Sequence, residues 1–275
     1  MIALDKRYRS SWDTRSIGHV VGLSPSTVAK ILREERGPRP KRARPQHVRR
    51  TKFVRRDVMW SSDFMELPNK SKLLKTLDEM SRYKLGWELV RSESAQDLVV
   101  HAWQIIERMG RKPLVWKFDH GSAFMSQAFQ TFLAEQQIVP YPTPPRAPWA
   151  NGRTERDNKE VRNWLIPVEK QPLDAQAWER EIDEGMWMLN FIKPRSVLGL
   201  KSSASVYFEQ PASPDPDRVR FLAELGRLKT ELEISCNPER THRKAVRRLL
   251  QDWKLYEEWL PEAEIVNRLG AALVP

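Results

Sequence analysis

The sequence predicts a mixed α/β body with a small all-α module in front and a helical tail behind. Three observations predict it. Strand-like runs at 58–66, 72–78, 82–90 and 113–118 alternate with helical periodicities. Two short amphipathic segments flank a turn within residues 14–35, and an apolar stripe at helical spacing runs from Val246 to Leu260. The 275 residues suffice for one or two domains plus smaller modules, and 40% hydrophobic with 30% charged residues describes a globular chain. No apolar run approaches the roughly 18 residues of a membrane span, and no signal-peptide h-region is apparent. Cys236 is the only cysteine, which excludes an intramolecular disulfide and a cysteine-based zinc module and fits a reducing, intracellular compartment.

The net charge of +11 points to a polyanionic partner, usually nucleic acid. Its distribution is uneven. Residues 1–60 hold 16 Lys and Arg against 5 Asp and Glu, whereas 61–210 hold 20 of each and 211–275 hold 11 of each. A basic front end therefore precedes an electrically neutral body.

The front segment, 1–35, carries two short helices around a turn within 14–35. Ile17 and Val21 form an apolar pair, Gly22 permits the positive φ of a stop, and Ser24 followed by Pro25 is a strong helix start. With Gly18 where the helices touch, and Leu23, Val28, Ile31 and Leu32 as further apolar positions, the pattern resembles a DNA-binding helix-turn-helix. Ser26, Thr27 and Lys30 would then face a major groove. An ordinary helical hairpin shares much of this pattern.

Residues 36–57 form a basic linker. Ten of the 21 residues from 36 to 56 are Lys or Arg and none is acidic, while Pro38, Pro40 and Pro45 prevent a continuous helix. The segment reads as a solvated linker or as an arm on a DNA backbone, with Arg42, Arg44, Arg49 and Arg50 as phosphate contacts.

The body spans 58–210. After its first three strand-like runs, Ser94 and Asp97 make a capping box for a helix whose core face is Leu98, Ala102, Ile105, Ile106 and Met109. A second helix is expected from Ser126 to Gln137. The proline-rich stretch 140–150, containing Arg146 and Trp149, reads as a loop without regular structure. A third helix starts near Asn151 and buries Val161, Trp164 and Leu165. The tail, 211–275, opens on a Pro- and Asp-rich linker. Its stripe of Val246, Leu249, Leu250, Trp253, Tyr256, Trp259 and Leu260 is first a core-packing helix face, then a subunit contact.

Three carboxylates stand out by placement. Asp63 lies in the first strand of the body, Asp119 ends the fourth, and Glu155 opens the helix after the proline-rich stretch. Singly each has an ordinary explanation, Asp119 as a turn former and Glu155 as a favourable charge at a helix N-terminus. Carboxylate oxygens are hard ligands that can hold Mg²⁺ or Mn²⁺, and a pair of such ions roughly 4 Å apart can hold the attacking and leaving oxygens of a phosphoryl displacement.

Thirty-five residues separate Asp119 from Glu155. With Asp63, this spacing resembles the D,D-35-E catalytic core of retroviral integrases and bacterial insertion-sequence transposases. Trp60, Gly121, Phe124, the pair Asn151-Gly152 and Arg156 add to the resemblance, as does NFIKPRSVLGLKSSASVY from Asn190 to Tyr207. His120, Lys193, Arg195 and the pair Ser202-Ser203 depart from the family pattern.

The resemblance implies a ribonuclease H-like mixed five-stranded sheet flanked by helices. Asp63 and Asp119 would sit on adjacent strands and Glu155 would reach in from its helix, all three being catalytic and metal-ligating for two ions. The implied activity is a transposase or integrase that cuts the ends of a mobile DNA element and joins the 3′-OH to target DNA. Arg146, Arg156 and Lys159 would contact the DNA. The resemblance further implies a homo-oligomer on DNA, no small-molecule cofactor, no membrane, and a cytoplasmic, nucleoid-associated bacterial setting. Two rivals keep the sequence features: a transposase-derived DNA-binding regulator without catalysis, and a metal-dependent nuclease of the same fold.

Overall fold

The computed structural model describes residues 12–36, 50–67, 69–145, 152–165, 174–210, 217–232 and 237–259. Arg42, Arg44, Arg49 and Arg146 lie outside this set, as does the side chain of Arg50.

The front module comprises α1 (Thr14–Val21) and α2 (Pro25–Arg36). Asp13 caps α1 by accepting from Ser16 N at 2.8 Å, and Gly22 ends it at φ 69°. A Cβ on Gly18 would meet Leu23 O at 2.5 Å, so only glycine lets the turn fold back so closely. Ser24 caps α2 by accepting from Thr27 N at 3.1 Å. Ile17, Val28 and Leu32 are buried as the periodicity requires, but Leu23 is exposed at the turn. The module's apolar side packs into a core shared with the body, next to Met65, Leu67 and Val161.

The body contains a five-stranded sheet of β2 (Met59–Glu66), β3 (Lys72–Asp78), β4 (Lys84–Val90), β5 (Val115–Phe118) and β6 (Val139–Pro142), in the order β4-β3-β2-β5-β6. The first three are antiparallel neighbours; β2, β5 and β6 run parallel. Strand alternation divides the core. Leu74 faces Trp60, Trp116 and the helices α3 (Ala95–Met109) and α4 (Gln127–Glu135), whereas its neighbour Leu73 faces α5 (Gly152–Leu165) and α6 (Ala175–Trp187). This is the mixed sheet flanked by helices that the sequence predicts. The α3 start is also as expected, with Ser94 accepting from Asp97 N at 3.0 Å.

The proline-rich stretch departs from expectation at its beginning, because Val139–Pro142 is the fifth strand and not a loop. The reason lies in the ladder. Val139 N and Thr143 N donate to Leu114 O and Phe118 O on the β5 side. Pro140 and Pro142 fall at the alternate positions, whose amides would point away from β5, and β6 is an edge strand, so the missing N–H groups break no ladder bond.

The tail departs too. After α7 (Ser203–Glu209) come α8 (Arg218–Leu232) and α9 (Pro238–Asp252), but Tyr256–Trp259 forms a strand, β7, antiparallel to β1 (Arg50–Phe53). The helical stripe therefore stops at Asp252, and the end of the basic arm is strand. Val246, Leu249 and Leu250 of α9 and Phe221 of α8 are buried against Met59, Val115 and Val139, which is the core-packing role. Among the described residues no helix is long and apolar enough to cross a membrane.

Candidate active site

The sheet brings Asp63 and Asp119 together. In the parallel pairing of β2 with β5, Trp60 lies opposite Trp116 and Ser61 opposite Lys117, so continuing the register sets residue 63 level with residue 119. Burial raises the carboxyl of Asp63 above its ordinary range. Lys75, its cross-strand partner on β3, and a hydrogen bond from Asn158 oppose that rise, while the charges of Asp119 and Asp157 add to it. Two half-buried acids at the end of a parallel strand pair thus share one electronegative place.

Each is held firmly. Trp60, fully buried three residues before Asp63, packs edge-on against Trp116 and donates from Nε1 to Asp57 Oδ1 at 3.0 Å. Asp119 Oδ1 accepts from Gly121 N at 2.9 Å, and a Cβ on Gly121 would approach that oxygen to 3.0 Å. Phe124 then stacks on Phe118 at 5.5 Å and touches Phe64, closing the turn against the strand bearing Asp63. His120 turns away from the acids, its Nε2 meeting Thr143 O at 2.7 Å.

Glu155 stands in the first turn of α5, exposed, and is not drawn into the pair. Among the described residues no three His, Cys, Asp or Glu side chains are grouped closely enough to hold a metal ion. The α5 residue that does reach the acids is Asn158, which donates from Nδ2 to Asp63 Oδ2 at 2.7 Å. Its Oδ1 is buried with no hydrogen-bond partner. Residues 155 and 158 are three apart on a helix and share a face, so Glu155 lies one turn N-terminal to the residue already touching Asp63. Asn158 escaped the sequence reading; its signal was that same spacing from Glu155.

The remaining predicted contacts are dispersed. Arg156 and Lys159 are exposed on α5, and Ser26, Thr27 and Lys30 are exposed on the front module. The hydroxyls of Ser26 and Thr27 each meet Ser24 Oγ at 2.8 Å. Arg153, in series with Arg156, is instead structural. It pairs with Glu79 at 2.8 Å, donates to Thr51 Oγ1 at 2.8 Å and lies over the Phe53 ring, fastening α5 to β1.

Beneath the acids lies a buried ionic layer that the sequence did not reveal. Asp157 accepts from Lys75 Nζ at 2.6 Å and forms an ion pair with Lys84 Nζ at 2.7 Å, all three side chains being nearly inaccessible. Glu160 accepts Lys193 and Arg195, each at 3.0 Å. Asn190 bonds the backbone of Lys84 through both its amide atoms, and Tyr207 donates to Asp57 Oδ1 at 2.7 Å. The segment from Asn190 to Tyr207 therefore acts as a brace for α5 and the β3–β4 turn.

Residues 54–148 match the family model of the integrase core domain. The match includes Asp63 and Asp119 and ends before Glu155. The Gag-Pro-Pol polyprotein of Human T-cell leukemia virus 2 is 28% identical over 131 residues, covering 46% of this chain and 8% of the polyprotein. Among solved structures, a simian T-cell lymphotropic virus intasome in complex with a PP2A regulatory subunit has a chain that superposes with a TM-score of 0.53 at 19% identity, covering 72% of each chain. The HTLV-2 integrase catalytic core in complex with magnesium gives a TM-score of 0.48 at 22% identity, covering 57% of this chain and 99% of that one. The sheet, its flanking helices and the integrase-core match agree on a ribonuclease H-like fold.

Proposed function

We propose that the chain is a DNA-cutting and joining enzyme of the transposase–integrase type, acting on the ends of a mobile element as a homo-oligomer on DNA. The observation that carries this reading is the Asp63–Asp119 pair, set level by the parallel pairing of β2 with β5 within an integrase-core match. Asp63, Asp119 and Glu155 would hold Mg²⁺ or Mn²⁺, in a two-ion arrangement. The donor set fits such ions: hard oxygens, an Asp63 carboxyl whose charge burial and Asp119 disfavour, and the unpartnered Asn158 Oδ1 beside it. When bound, the metal would supply charge neutralisation and activation of the attacking oxygen. HTLV-2 integrase, whose core was solved with magnesium, gives a precedent for that ion.

The chain's own residues have separable roles in this reading. Asn158 fixes one oxygen of Asp63, Gly121 fixes one oxygen of Asp119, and Lys75 limits the repulsion between the acids. Arg156 and Lys159, flanking that face of α5, would take phosphates of the element end. Ser26, Thr27 and Lys30 would read the duplex, and Arg42, Arg44, Arg49, Arg50 and Arg146 would neutralise its backbone.

One observation favours a second reading. Glu155 stands apart from the aspartate pair, as it would in a DNA-binding regulator that no longer catalyses. A strand-transfer assay on element-end DNA with Mg²⁺ or Mn²⁺ separates the readings. The proposal expects joined product that vanishes in Asp119→Ala. Binding with neither cutting nor joining would establish the regulator, and cutting without joining a nuclease.

A further inference from the structure

A cavity of about 180 Å³ opens between the β3–β4 turn, the N-terminal turn of α5 and the segment following Ile192. Its cationic lining is Arg82, Arg153, Arg156, Lys193 and Arg195; its acidic lining is Asp13, Asp157 and Glu160. The acids are already engaged. Asp157 holds Lys75 and Lys84, Glu160 holds Lys193 and Arg195, and Asp13 caps α1 and accepts from Ser196 at 3.0 Å. Arg153 is committed to Glu79. Arg82 and Arg156 differ: among the described residues neither guanidinium has a hydrogen bond or a carboxylate within 4 Å.

Arg82 is also costly where it stands. Its backbone adopts φ 64°, a left-handed conformation that penalises any residue with a Cβ. Burial pushes its guanidinium down to about 10, with the charges of Arg153 and Arg195 adding to the effect and those of Glu79 and Glu160 opposing it. Burial likewise pushes Lys193 down to about 8, with Arg195 adding to the effect. Gly152 lines the same cavity at the start of α5, where the helix dipole favours an anion. Among the described residues nothing stands within 4 Å of the place a Gly152 Cβ would occupy.

We propose that this cavity is a phosphate-binding site, in which Arg82 and Arg156 grip the oxygens of one phosphate group against the α5 N-terminus. Guanidinium groups match phosphate in geometry, and an excess of two cations in the lining suits such a group. The phosphate is a backbone phosphodiester or a free ion. The backbone source rests on the DNA-joining reading; the site itself does not.

The experiment uses the full chain and two variants, Arg82→Gln and Arg82→Gly. Calorimetric titration with inorganic phosphate reads the site directly, and the salt dependence of duplex DNA binding reads the backbone source. Both variants should weaken phosphate binding at least tenfold. Arg82→Gly should melt no lower than wild type, because glycine accepts the left-handed conformation freely. Leaving one backbone phosphate without its cation should reduce the salt slope by about 0.9. A reduced slope identifies a DNA phosphate, and abolished phosphate binding with an unchanged slope identifies a free ion. If both variants bind phosphate as wild type does, or if wild type binds none and the slope is unchanged, the site is overturned. Phosphate titration stays informative even if the strand-transfer assay fails.

Discussion

Asn158 is the residue on which the candidate site turns, because its amide joins the helix bearing Glu155 to the strand bearing Asp63. Outer-shell partners of this kind typically carry 10–100-fold in metal affinity or activity. Asn158→Ala should therefore lower strand transfer by about that factor, checked by product yield across a metal titration, with secondary structure unchanged by circular dichroism. Asp157, one residue earlier, should behave differently. Its removal leaves Lys75 and Lys84 buried without a counter-charge, so Asp157→Ala should cost about 3–5 kcal/mol in denaturant unfolding. Two buried acids give the fold an opposed pH response. Burial, with the charge of Asp57 adding, raises Asp78 from 3.8 to about 7 against the hydrogen bonds from Ser81. The folded state then holds the extra proton, so this contribution is full below pH 3.8 and lost as pH rises through 7. Burial alone would raise Glu160, but its pairs with Arg195 and Lys193 outweigh burial and hold it at about 2. Its contribution is present above 4.5 and lost as pH falls towards 2. Asp78→Asn should flatten the stability profile between pH 4 and 7, as read by melting temperature, and leave the acid limb intact.

At the scale of elements, most strands and helices were legible because each carries its own period and punctuation. Ser94, Ser126 and Gly22 mark helix ends where the sequence places them. The failures share a cause: they depend on partners remote in sequence. That β6 tolerates Pro140 and Pro142 follows from its edge position, and β7 exists because β1 lies across from it. The same holds for the site. Asp63 and Asp119 are candidates by their places in the first and fourth strands and the spacing to Glu155, whereas the Lys75–Asp157–Lys84 layer joins residues up to 82 positions apart and has no local signal. Element packing also makes a prediction. A Cβ on Gly185 of α6 would lie 2.6 Å from the Trp164 ring on α5, itself buried. Gly185→Ala should destabilise by about 1–3 kcal/mol, measured by urea unfolding, because the buried indole is held in place by its Nε1 donating to Glu181 O at 2.9 Å.

For the whole molecule, the uneven charge acquires a structural setting. The front module docks on the body through Ile17, Val28 and Leu32, and Ser16 donates to Pro194 O at 2.5 Å on the brace of α5. The arm ends in β1, tied to the tail by β7 and to α5 by Arg153. Removing residues 1–60 would therefore expose core as well as remove charge, so the electrostatic role of the arm is better tested by neutralisation. Replacing Arg42 and Arg44 by Gln should lower the salt slope of DNA binding by about 0.9 for each phosphate no longer neutralised and leave melting unchanged. If the Asp63–Asp119 pair performs metal-dependent joining on this scaffold, loss of either carboxylate must abolish joined product. The most direct test is a strand-transfer assay comparing wild type with Asp63→Asn at equal DNA occupancy. Joined product that requires Mg²⁺ or Mn²⁺ and disappears in the variant is the predicted result; a variant that joins DNA as well as wild type would contradict it.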